Sequence, residues 1–63
     1  MRKKLRELRK KNNMTQQNIA KELCIDRSHY SRIENGHKGV TLDNALRLKE
    51  ILKYKEDDLF ENS

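Results

Sequence analysis

No proline occurs in this 63-residue chain, and glycine occurs twice. No position is therefore locked against continuing a helix, and the sharp reversals fall to very few residues. Tryptophan is absent, and the aromatics are two tyrosines and one phenylalanine, so little of any core is aromatic. The single cysteine, Cys24, cannot make an internal disulfide, which fits a reducing, cytoplasmic setting. No apolar run approaches a membrane span or a signal-peptide core. β-branched runs, repeats, linkers and low-complexity tracts are missing too. There is no glycine-rich phosphate loop and no signature of a serine–histidine–acid arrangement, so no catalytic residue is assigned and no enzyme is expected.

What is abundant is Leu, Lys, Glu, Arg and Gln, all good helix formers. An all-α fold follows, as one domain over residues 1–63. A chain this short buries only about 60% of its unfolded surface, so the core is small. The net charge is +5, which points to an anionic partner such as nucleic acid or an acidic membrane surface. The charge is lopsided. Arg2, Lys3, Lys4, Arg6, Arg9, Lys10 and Lys11 crowd the first eleven residues, while Glu56, Asp57, Asp58 and Glu61 crowd the last few.

Residues 2–12 read as a first helix with Leu5 and Leu8 on one face and the basic residues solvated. Two leucines are too few for a membrane-surface helix. Thr15 is an N-cap candidate for a helix over 16–23, with Met14 placed to staple on Ile19. Asn18 stands where a capping box has Glu or Gln, which leaves the box incomplete. After a tight turn, Asp26 and Gly36 bracket a helix over 27–35. Thr41 opens a helix over 42–52. Leu42, Ala45, Leu46, Leu48, Ile51 and Leu52 give it the strongest apolar face, as expected of the central core helix. A last short helix over 56–61 carries Leu59 and Phe60 inward.

Two short helices joined by a tight turn form either a structural αα-corner or a helix-turn-helix, whose second helix can enter the DNA major groove. Helical spacing places Arg27, Ser28, Ser31 and Arg32 on one face about 140° wide, with Tyr30 and Ile33 opposite. Cys24, His29 and His37 do not have the paired spacing of a structural zinc site, so no metal is expected.

The run Met14-Thr15-Gln16-Gln17, Ile19-Ala20, Leu23, Arg27-Ser28 and Ser31-Arg32-Ile33-Glu34-Asn35-Gly36 resembles the Cro/C1-type (XRE) helix-turn-helix family of phage and bacterial regulators. The likeness spans about Leu5 to Phe60. It implies a compact five-helix, lambda-repressor-like domain that binds double-stranded DNA, with no cofactor and no small-molecule ligand. By position it implies base contacts from Arg27, Ser28 and Arg32. Gln16 and Gln17, His29 and Ser31, and Asn35, His37 and Lys38 fall at phosphate or secondary contacts. Arg9 and Glu34 match a structural salt bridge. Three residues depart from the family pattern: Cys24 and Lys53 replace common glycines, and Val40 replaces a common proline.

The resemblance implies a transcriptional regulator, a repressor in the leading reading. The alternatives are an antitoxin, a restriction-modification controller that regulates its own operon, or a protein-interaction module on the same scaffold. With the chain ending just after the last helix, pairing is expected to use Tyr54, Leu59 and Phe60, as a weak homodimer that tightens on DNA.

Overall fold

Two threonines start two of the helices. The Thr15 hydroxyl accepts from the Asn18 N–H at 3.1 Å, and the Asn18 side chain accepts from the Thr15 N–H at 3.0 Å. Asn18 thus closes the capping box that Glu or Gln was expected to be needed for, because its shorter amide still reaches one turn back. The Thr41 hydroxyl accepts from Asn44 N–H at 3.2 Å. Asp26 has the extended backbone of an N-cap, but its carboxylate makes no capping bond among the described residues.

The computed structural model describes residues 1–61; residues 62 and 63, part of the single domain expected over 1–63, lie outside them. The described residues form four α-helices and no strand: α1 Lys3–Lys11, α2 Gln16–Leu23, α3 Arg27–Glu34 and α4 Leu42–Leu52. The fifth helix expected over 56–61 is instead a 3-10 helix, Asp57–Phe60. One turn suffices to drop Leu59 into the core, where it is fully buried.

All four α-helices stop in the same way. Asn13, Cys24, Gly36 and Lys53 each take the left-handed conformation, at φ 57°, 58°, 80° and 55°. In each case the next residue's N–H reaches back five positions: Met14 to Arg9 O, Ile25 to Ala20 O, His37 to Arg32 O and Tyr54 to Lys49 O. This is the Schellman closure, and it satisfies carbonyls the helix would leave unpaired. Only Gly36 takes it without steric cost. A side chain there costs roughly 1–2 kcal/mol, and glycine returns roughly 0.4–1 kcal/mol through the looser unfolded chain. Cys24→Gly should therefore gain up to about 1 kcal/mol, while Cys24→Ala gains nothing. Thermal melts of both variants check this; a lower midpoint for the glycine variant would refute it.

The core is Leu5 from α1, Ile19, Ala20 and Leu23 from α2, Tyr30 and Ile33 from α3, Leu48 and Leu52 from α4, and Leu59. α4 is less central than its leucines suggest. Leu42 is 75% exposed and Leu46 52%. The mean direction of this pair lies about 120° round the helix from that of Leu48 and Leu52, so one row packs and the other faces solvent.

Arg2 was expected on the solvated basic face of α1. It is buried instead, and its guanidinium donates to the carbonyls of Ile33, Lys38 and Phe60.

Candidate nucleic-acid interface

α2 packs more extensively on α3 than any other pair of helices does. The connection between them is the Cys24 stop followed by Ile25, half-buried against the core, and Asp26. This short, anchored link holds α3 with Tyr30 and Ile33 turned fully inward. The periodicity of a helix then dictates what faces out. Arg27, Ser28 and Arg32 are exposed, and Ser31 is half-exposed beside them. His29, at the edge of this face, is half-buried. The outward face is therefore two guanidiniums and two hydroxyls without an acid among them.

The flanks are polar. Gln17 is exposed in the first turn of α2, and Gln16 is half-buried there. The Gln16 amide lies 3.5 Å from a Glu34 carboxylate oxygen, at the limit of a hydrogen bond. Past α3, Asn35, His37 and Lys38 are all exposed. The Asn35 amide leans back on Ser31 Oγ at 3.4 Å.

Beneath this surface sits a buried ion pair. Arg9 Nε donates to Glu34 Oε2 at 2.9 Å and Arg9 Nη2 to Oε1 at 3.1 Å, a bidentate fork. The third guanidinium nitrogen donates to Met14 O at 2.9 Å. Glu34 is 2% exposed. Burial alone would push its carboxyl up. The Arg9 hydrogen bonds, with Tyr30 and Gln16 beside them, outweigh burial and hold it below the ordinary glutamate range. The buried Tyr30 hydroxyl next to this pair has no hydrogen-bond partner among the described residues. Burial first, and the Glu34 charge second, push its pKa far up. Arg9 and Glu34 thus hold α1 to the end of α3 and are not presented at the surface.

A helix-turn-helix family model matches residues 5–59. The chain belongs to the Cro/C1-type helix-turn-helix family. Its members are DNA-binding transcriptional regulators, and α2 and α3 form the helix-turn-helix of this one. Control protein C.MunI of Mycoplasma sp is 38% identical over 58 residues, covering 90% of this chain and 78% of the relative. Control protein C.BamHI of Bacillus amyloliquefaciens is 36% identical over 59 residues, covering 92% and 73%. No solved structure gives a significant match. No helix among the described residues is long and apolar enough to cross a membrane.

The C-terminal surface differs from expectation at Leu59. Leu59 is core and has no exposed area to offer a partner. Tyr54 is half-buried: its hydroxyl bonds the Asp58 carboxylate, and the Lys4 ammonium sits 5.8 Å from its ring centre. Phe60 is half-buried, and its carbonyl accepts from Arg2 Nε at 2.9 Å. These groups are largely used within the domain. Among the described residues the large apolar side chains left exposed are Met1, Leu42 and Leu46, and Leu46 lines a groove with Lys49, Glu50, Lys53, Tyr54 and Lys55. Periodicity alone missed both Arg2 and this row. A basic residue beginning a basic run carries no mark of burial, and six apolar residues on one helix do not say which row packs.

Proposed function

We propose that this domain is a repressor-type transcriptional regulator whose α3 enters the major groove, with Arg27, Ser28 and Arg32 reading bases. One observation carries this: all three are exposed on the face of α3 opposite the fully buried Tyr30 and Ile33. Arginine suits the task because its fork pairs bidentately with guanine O6 and N7. Gln16, Gln17, Asn35, His37 and Lys38 bracket this face and hold the register on phosphates, with Ser31 and His29 as secondary contacts. The role is binding, not catalysis. Both relatives are control proteins, which favours a controller acting on its own operon over an antitoxin. Selection of bound duplexes from a random library tests the reading. A defined motif and an affinity that falls steeply with salt are expected; random recovery, or salt-independent capture, would end it.

We infer further that the domain pairs through Leu42 and Leu46 of α4. Burying a leucine fully stabilises by about 1.5–3 kcal/mol. Four partly exposed leucines across a two-fold axis therefore supply about 4–8 kcal/mol. That barely offsets an association cost of roughly 4–15 kcal/mol. The free protein is thus a weak dimer, and two half-sites about one DNA turn apart stabilise it. Leu46→Glu should leave the fold intact and lower affinity for a two-fold site by about 100-fold, the scale of lost avidity. Sedimentation and titration against one-half-site and two-half-site duplexes measure this. Unchanged cooperativity in the variant would place the interface elsewhere.

A further inference from the structure

Arg2 collects three carbonyls that lie far apart in the chain. Its Nη1 donates to Ile33 O in α3 and to Lys38 O at 2.8 Å, and its Nε donates to Phe60 O at 2.9 Å. Its backbone N–H donates to Glu34 O at 2.9 Å. A planar fork with five donors can span such a set; a lysine ammonium, as a point donor on a flexible stem, cannot do so in the same geometry. Two of the three carbonyls frame one segment. Ile33 lies just before the α3 stop, and Lys38 lies just after it. Between them Gly36 is left-handed, and the side chains of Asn35, His37 and Lys38 are exposed. Core packing therefore does little to set where this loop stands relative to α3.

We propose that Arg2 is a positioning residue for DNA binding: it holds the loop of residues 36–38 at the end of α3, so that Asn35, His37 and Lys38 meet the backbone together with the reading face. Arg2 itself stays buried and touches no DNA. The inference rests on the reading of that loop as a phosphate contact. It also gives the 3-10 helix a part in DNA binding, since Phe60 supplies the third carbonyl.

The test is phosphate-ethylation interference on the selected duplex, with Arg2→Lys compared against Lys38→Ala and Gln16→Ala. Arg2→Lys should weaken binding about tenfold, the scale of one charged contact. It should lose the same phosphates as Lys38→Ala and keep those that depend on Gln16. Weakening spread evenly over every phosphate, loss of the Gln16-dependent ones, or unchanged affinity would each overturn the proposal. If Lys38→Ala itself leaves the footprint intact, the loop is no phosphate contact, and the underlying reading fails by its own result. Arg2→Gln serves as the second variant should Arg2→Lys fold poorly. Amide exchange in the free variants adds a check without DNA: the His37 N–H should exchange faster while that of Leu48 keeps its protection, and equal protection at His37 would refute the role.

Discussion

Arg9→Met is expected to cost about 3–5 kcal/mol, because it leaves the Glu34 carboxylate buried without its partner. At roughly 0.05–0.15 kcal/mol per residue, a domain of this length has roughly 3–9 kcal/mol in all. The variant should therefore lose about a third or more of its stability and melt at a clearly lower urea concentration than the parent. The neighbours cannot compensate. Gln16 reaches Glu34 only at 3.5 Å, and the adjacent Tyr30 hydroxyl makes no hydrogen bond among the described residues. Replacing both partners, Arg9→Met with Glu34→Leu, removes the stranded charge and should recover most of the loss. Urea melts of the single and double variants measure the cycle. A single variant as stable as the parent would mean that the pair contributes nothing.

The same pair fixes an acid response. The folded-state pKa of Glu34 is depressed, so its contribution is complete above the ordinary glutamate value. It is lost as pH falls through the lower folded value. Stability of the parent should therefore decline on acidification below about pH 5, the ordinary glutamate range. The double variant should lack that part of the decline.

Arg27→Ala and Arg32→Ala are each expected to weaken binding to the selected site by about 1–3 kcal/mol and to relax preference at one base pair. The stability of the domain should hardly change, since both side chains are exposed. Lys38→Ala should behave differently, weakening all sequences alike and lowering the salt slope by about one. Competition against duplexes changed at single positions separates the two patterns. An Arg27→Ala protein that kept its cognate-to-random ratio would remove Arg27 from the reading set.

Local features of this fold were legible wherever the deciding forces act within one or two turns. The threonine caps mark where α2 and α4 begin, and the 3.6-residue period sorts the two faces of α3. The Arg9–Glu34 pairing was legible only through family resemblance, because nothing in residues 25 apart announces a contact. Arg2 was not legible at all. Its partners are backbone carbonyls, which every residue possesses, so no side-chain pattern points to them. Asn18 completing the cap and Leu42 with Leu46 facing solvent were missed for related reasons. The first depends on reach, which residue type only suggests. The second depends on which side of α4 the rest of the chain covers.

The left-handed stops at Cys24 and Lys53 bear on how long the molecule lasts in a cell. Proteases act on the small population that is open at any moment, and about 1 kcal/mol changes that population roughly fivefold. Relieving the strain at either residue, neither of which belongs to α3, should therefore shrink that population and slow degradation.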